Sequence, residues 1–499
     1  MVIRMKFSST RPRPPDETTS CAPDHPPPRE EAGSAARGGE TEGTAAGTGD
    51  EDPQPAAGST DVSHEAVRRG EQPAAAWSSE RAFVLSTAAA GVGLGNLWRF
   101  PTLAGENGGG AFLMAYAVAV LCFALPFAAL EIVAGRQAHG SVVASFRKLG
   151  RRFVPVGIGV VLLTLAIDSY YFVITGWTLG FAVEATVSAT PDFAEFTSGY
   201  ESVWWLLATS ALVGGILALG LSGIERAAQF LMPVLGLVIV GIAVYGLTDG
   251  AAGEALEFLF RPDFTRMSDL DLWRAAFGQA FFSMTIGQGY LITYGSYLPQ
   301  HVNVPRAIAS IAAINSSVAI LAGLAIFPFV FAAGLDPGAG SELAFVAMPT
   351  AFEEMAGGGL LAPAFFWLLF LAALSSCIGG AKVVTAALRE QWSRFDSVRA
   401  VIAGIGAITL LGVPSALSYA APEWQIAGRP VLDALNEAVG SNGTVLAALA
   451  TSMILGWKFP PSRLSRAFNL RRRTATALGW LLRIAPIGLA AVFGLSLLA

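Results

Sequence analysis

The sequence predicts an all-α membrane protein of about eleven transmembrane helices, and three observations carry that reading. First, 53% of the 499 residues are hydrophobic and only 14% are charged, where a soluble domain carries about 25% charge. Second, the apolar residues gather into runs long enough to cross a bilayer, which takes about 20 residues. Third, the runs are separated by short polar loops. Lipid offers backbone groups no partner, so each run must satisfy its own hydrogen bonds as a helix.

Residues 1–76 stand apart. They are rich in Pro, Gly, Ala, Ser, Thr and Glu and nearly free of aromatic residues. Such a segment buries too little apolar surface to offset its ordering entropy, so it reads as a disordered tail. It has no apolar run of the signal-peptide kind. From residue 77 to residue 499 the chain reads as one membrane domain.

The expected spans are 82–103, 109–134, 154–184, 203–221, 228–247, 273–298, 306–334, 359–386, 397–416, 430–456 and 475–498. Arg136, Arg147, Lys148, Arg151 and Arg152 fall between the second and third. Arg389, Arg394 and Arg399 fall between the eighth and ninth, and six basic residues from Lys458 to Arg473 between the tenth and eleventh. The alternate loops carry Asp192, Glu195, Glu201, Glu342, Glu353 and Glu354. The positive-inside rule therefore predicts a multi-pass protein of the cell membrane with a cytoplasmic N-terminus.

Several functions are excluded. The net charge of −5 has no basic stripe, so nucleic acid is not an expected partner. Cys21, Cys122 and Cys377 have no metal spacing, and His25, His64, His139 and His301 are scattered, which argues against a metalloenzyme. A membrane hydrolase would need a base beside Ser375 or Ser376, and no histidine lies in that span. The chain is not read as an enzyme. Its expected partners are the lipid bilayer and a small molecule, and its oligomeric state stays open.

Spans one and six break the helical pattern. Span one contains Gly91-Val-Gly93-Leu-Gly95-Asn96-Leu-Trp-Arg99-Phe-Pro101, and span six contains Ser283-Met-Thr285-Ile-Gly287-Gln288-Gly289. Glycine disfavours helix by about 1 kcal/mol against alanine, and an intramembrane arginine is costly unless it faces protein or water. Two glycine-interrupted spans at corresponding places suit two inverted five-helix repeats with a midplane binding site.

The stretch Gly91–Pro101, followed by Glu106-Asn-Gly-Gly-Gly-Ala-Phe112, resembles the signature of neurotransmitter:sodium symporters. So do Gly176-Trp177, Gly223 with Pro233 ten residues on, and Ile292-Thr-Tyr-Gly-Ser-Tyr297. The resemblance runs from about Trp77 to the end, and eleven spans resemble the prokaryotic members. It implies sodium-coupled symport of a small amino acid or similar substrate by alternating access. Proton-coupled or ion-independent transport on the same fold, and a transport-inactive regulatory protein, remain alternatives.

The resemblance also implies site residues and, as cofactors, sodium ions at two sites. One sodium would take Gly91, Asn96, Ser283 and Asn315, and the other Ala89, Val92, Ala372, Ser375 and Ser376. Neutral oxygen ligands suit a hard ion that must also leave. Substrate would meet Gly91, Leu94, Gly95, Ile167, Tyr171, Ile174, Phe282, Ser283, Thr285, Gln288, Ser376 and Gly380, with Tyr171 on its carboxylate and Phe282 as a lid. Gly93 stands where monoamine carriers have an aspartate, which suits an amino-acid carboxylate.

Departures from the family pattern add expectations. Asp168 lies one helical turn before Tyr171, and with Gln288 it hints at a polar or cationic substrate side chain. The outer gate would pair Arg99 with an acid of span ten. Asn436 stands at the matching position, so Glu437 or Asp433 is expected to serve. Tyr116, Gln279, Ser283 and Asn315 match a chloride ring, but Ala319 replaces its serine and leaves chloride open. Lys382 has no sequence-level account. The family's N-terminal arginine is replaced by Ala74, with Arg69 or Arg81 as substitutes for the inner gate.

Overall fold

The computed structural model describes residues 76–188, 190–249, 251–337, 347–353, 357–392, 396–426 and 428–496. All lie within one unit, 73–499. The expected tail, Arg69, Ala74, Glu342, Glu354 and Arg394 lie outside the described residues.

Nine helices among the described residues are long and apolar enough to cross a membrane. They are Gly110–Ala138, Arg151–Val187, Glu201–Ala218, Leu221–Thr248, Val304–Ala332, Gly358–Gln391, Ser397–Ala416, Val431–Lys458 and Arg472–Ala491. The expected spans one and six are not among them, because each is interrupted. Span one is helical over Glu80–Gly91, breaks at Val92, and resumes as a π-turn at Gly95–Arg99 and a helix at Phe100–Glu106. Span six is helical over Leu270–Ser283 and again over Tyr290–Gly295. Counting these two, the described residues hold the eleven spans expected, in an all-α membrane fold.

Local chemistry explains the boundaries. Ser79 caps span one by accepting from the Ala82 amide, and Asn303 caps span seven by accepting from the Arg306 amide. Span five begins at Leu221, earlier than expected, because Gly223 and Pro233 both lie inside its helix. Span ten carries a π-turn over Asn436–Gly443, a distortion that recurs at functional sites. The sequence reading missed the short helices Val142–Leu149, Ala252–Phe260 and Pro461–Phe468. They are too short to give a span signal.

Spans three and eight share the most extensive helix–helix interface and form a frame. The broken spans one and six sit beside it. At one end of the molecule span one is tied to span six. The Trp77 indole donates to the Tyr294 carbonyl (2.9 Å) and the Trp77 amide to the Tyr297 carbonyl (3.1 Å). The Ser78 amide donates to Glu225 of span five (2.8 Å). Lys382 lies here too, with its ammonium 5.0 Å from the centre of the Tyr297 ring, a cation–π contact.

Candidate functional site

Breaking a helix leaves backbone groups that must find other partners. In span one, Val92 turns to extended geometry. The freed Leu94 amide donates to the Tyr171 hydroxyl of span three (3.0 Å). The glycines beside it allow this approach. A Cβ on Gly93 would lie 2.3 Å from Ser376 Oγ and 2.7 Å from Tyr171 Oη, and one on Gly95 would lie 2.6 Å from the Phe282 ring. Alanine fits at neither position without moving a pocket side chain.

The break in span six is held from two sides. The Gly287 amide donates to Glu131 Oε1 of span two (2.9 Å), and the Thr164 hydroxyl of span three donates to the Gln288 carbonyl (2.7 Å). Thr285 adopts φ +53°, and Gly287 and Gly289 φ +79°. A β-branched residue in the left-handed region is strained, and such strain gathers at functional sites. Glu131 was missed in the sequence, although a lone acid within span two is a signal for it.

Around Ser375 four oxygens converge. Its hydroxyl lies 2.7 Å from the Ala89 carbonyl oxygen, 3.1 Å from that of Val92 and 2.8 Å from that of Ala372. One hydroxyl proton cannot serve three acceptors, so the set carries excess oxygen and suits a small hard cation. Ser376 Oγ lies farther along, at the Gly93 face.

A second oxygen group lies at Gly91. The Ser283 carbonyl oxygen and Asn315 Oδ1 are 3.0 and 3.6 Å from a Cβ placed there. Asn96 Nδ2 donates to the Asn315 backbone oxygen (2.8 Å) and Oδ1 (3.0 Å). Asn96 Oδ1 is buried with no hydrogen-bond partner, an acceptor to which a cation would be an apt partner.

Between these groups lies a cavity of ≈ 30 Å³ that reaches Gly91, Gly93, Gly95, Ile167, Tyr171, Phe282, Thr285, Gln288, Tyr290 and Ser376. A wider cavity of ≈ 390 Å³ lies beyond Phe282 and includes Leu94, Arg99, Tyr170, Ile174, Asn436 and Gly440. Gly95, Tyr171 and Phe282 border both. Ile174 faces the outer cavity rather than the inner one. Tyr170, Tyr290 and Gly440 were not singled out in the sequence. A Cβ on Gly440 would lie 2.1 Å from Tyr170 Oη, so this π-turned stretch of span ten packs directly on span three.

Neither Glu437 nor Asp433, expected at the outer gate, lines the outer cavity with Arg99. Glu437 pairs with Arg429 on the exposed surface, 2.6 Å away, and Asp433 accepts from the Tyr419 hydroxyl (2.9 Å). Both acids already have near partners in sequence, and the helix turns them from the cavity. The residues of span ten that share the outer cavity with Arg99 are Asn436, Gly440 and Ser441. Arg99 instead sits over the Phe282 ring, 4.9 Å from its centre, and donates to Gln279 Oε1 at 3.5 Å.

Three of the four chloride-ring residues lie together. The Tyr116 hydroxyl is 3.4 Å from Ser283 Oγ and 3.4 Å from Ser316 Oγ, and Asn315 Nδ2 is a buried donor without a partner. Gln279 Nε2 is committed to the Gly95 carbonyl (2.7 Å) and braces the break in span one. Asp168 and Gly380, expected at the substrate, do not line the inner cavity; they meet each other beside Tyr290, where a Cβ on Gly380 would lie 2.2 Å from Asp168 Oδ1 and 2.6 Å from Tyr290 Oη.

Comparison with known proteins agrees with this architecture. The model of the sodium:neurotransmitter symporter family matches residues 74–200 and 195–493. A sodium-dependent transporter of Haemophilus influenzae is 31% identical over 411 residues, 76% of this chain and 88% of its own. The sodium-dependent transporter YhdH of Bacillus subtilis is 32% identical over 409 residues, 79% and 90% of the two chains. The crystal structure of MhsT in complex with L-phenylalanine superposes with a TM-score of 0.77 at 35% identity, covering 84% of this chain and 99% of that one. The sodium- and chloride-dependent GABA transporter 2 of Rattus norvegicus is 26% identical over 374 residues, 64% of this chain and 62% of its own. With interrupted spans one and six, the eleven-span fold and a family match along most of its length, this chain belongs to the sodium:neurotransmitter symporter family.

Proposed function

We propose that the protein is a sodium-coupled symporter that imports a small amino acid or amino-acid-like substrate by alternating access. One observation carries the reading. The breaks in spans one and six bring an amide–hydroxyl pair, Leu94 with Tyr171, next to two groups of surplus oxygens at Ser375 and at Gly91. The first suits a carboxylate, since freed amides at a helix start attract anions. The second and third suit two sodium ions.

A substrate carboxylate beside Asn96 and Gly91 would share the ion at the Gly91 site. Shared ligands make each binding event strengthen the other, which is the physical content of coupling. The tie between Trp77 and span six and the wider cavity beyond Phe282 suit a form open to the side away from Trp77. With the basic loops inside, that side is the exterior. The unpartnered Asn315 donor beside Tyr116 and Ser283 favours a chloride at that place as well.

The test is uptake of labelled amino acids into proteoliposomes with an inward sodium gradient, against matched potassium. Sodium-dependent accumulation supports the reading. Accumulation driven equally by a proton gradient without sodium would replace it with proton coupling, and binding without accumulation would make the chain a regulatory protein.

A further inference from the structure

Beyond Glu437 the chain carries seven basic side chains and no acidic one. Five of them, Arg463, Arg466, Arg471, Arg472 and Arg473, are exposed on or just after the short helix Pro461–Phe468. That helix buries Leu464 and Phe468 against the protein, which leaves its arginines on the outer face.

Arg483 differs from these five. It lies within span eleven and is only half-exposed. Its guanidinium carbon is 5.9 Å from the centre of the Trp457 ring of span ten and 5.6 Å from that of Trp480. Its Nε donates to the Gly456 carbonyl (3.4 Å). Two indoles and a backbone anchor thus hold a long side chain in one place. Among the described residues Arg483 makes no ion pair, and its two terminal nitrogens have no hydrogen-bond partner.

Packing gives the depth of this group in the membrane. A Cβ on Gly456 would lie 2.3 Å from the Leu482 carbonyl oxygen, so span eleven meets span ten just where span ten ends at Lys458. The guanidinium therefore sits at the polar boundary of the bilayer, on the side that the basic loops mark as cytoplasmic. Trp457 and Trp480 are 60% and 57% exposed. Exposed tryptophan at such a boundary lies among lipid headgroups, with its ring in the apolar edge and its N–H toward polar atoms.

We infer that Arg483, between Trp457 and Trp480, binds the phosphate of an anionic phospholipid in the cytoplasmic leaflet. Charge complementarity and placement carry this together. A guanidinium anchored through Nε presents its forked edge, which matches two oxygens of one phosphate. The indoles flank the glycerol and upper acyl carbons that a lipid has and a free phosphate lacks. The exposed arginines nearby attract a headgroup of net negative charge. They repel the cation that a zwitterionic headgroup carries beside the same phosphate. The bound lipid would bridge spans ten and eleven. This site is independent of the substrate and of the coupling ion.

The experiment is native mass spectrometry of the purified full-length protein in detergent, titrated with phosphatidylglycerol or with phosphatidylcholine of the same acyl chains. The wild type is expected to bind the first phosphatidylglycerol at least tenfold more tightly. Arg483→Gln is expected to remove that preference, and Trp480→Leu to reduce it several-fold, with phosphatidylcholine binding unchanged in both. Arg466→Gln, on the exposed helix, is expected to change it less than twofold.

Equal affinity of the wild type for the two lipids overturns the inference, and that result needs no variant to fold. Equal losses in Arg483→Gln and Arg466→Gln also overturn it, because the preference would then belong to the diffuse charge of the surface. Displacement of phosphatidylglycerol by inorganic phosphate would assign Arg483 to a free anion and not to a lipid.

Discussion

The Ser375 hydroxyl oxygen lies 2.7 Å from the Ala89 carbonyl oxygen, joining spans that are 286 residues apart. Neither residue is remarkable alone, since serine and alanine are common in packed transmembrane helices. Their meaning comes from the break at Val92, which turns carbonyls of span one away from their own helix and toward span eight.

Ser375→Ala removes one oxygen of this group and leaves the carbonyls in place. The half-saturating sodium concentration for substrate binding should rise about tenfold, which corresponds to about 1.4 kcal/mol. A sodium titration of bound labelled substrate reads this directly. An unchanged sodium dependence would take the ion away from Ser375.

Gly93→Ala should weaken substrate binding by about tenfold or more, and Gly93→Leu should abolish it. A Cβ there lies within 2.7 Å of both Ser376 Oγ and Tyr171 Oη, so two anchors must move. The variants should still elute as monodisperse protein on size exclusion, because the strain is confined to the cavity. Full binding by Gly93→Leu would refute the site in span one.

Glu131 should separate hydrogen bonding from charge. Glu131→Gln keeps an oxygen for the Gly287 amide and should melt near the wild-type temperature. Glu131→Ala orphans a buried amide, which costs about 1–3 kcal/mol, and should lower the melting temperature and the uptake rate together. Equal melting of the two variants would show that the 2.9 Å contact does not support the break in span six.

At the outer cavity, Glu437→Ala should leave uptake within about twofold, because its exposed pair with Arg429 contributes about 0–1 kcal/mol. Arg99→Ala should lower substrate affinity several-fold, since it removes the cation above the Phe282 ring. Loss of uptake in Glu437→Ala would return that acid to the gate.

Much was legible along the chain. A lipid-facing helix shows little apolar periodicity, but its apolar length remains visible, so the spans were found to within a few residues, except that span five begins at Leu221 and not at 228. The two breaks were also visible, because glycine runs and an intramembrane arginine conflict with a simple anchor helix. Glu131 could have been read the same way. The gate could not. Asp433, Asn436 and Glu437 occupy neighbouring turns, and only the direction of the π-turned helix shows that Asn436 faces the cavity.

The sequence by itself determined the class of solvent, the number of crossings and the two places where helix must fail, because these depend on local composition and backbone propensity. The tertiary structure decided what each freed group meets. It set Leu94 against Tyr171, Gly287 against Glu131 and Ser375 against Ala89, and it packed Asp168 against Gly380. Those pairings join residues tens to hundreds of positions apart, and only the packing of whole helices fixes them.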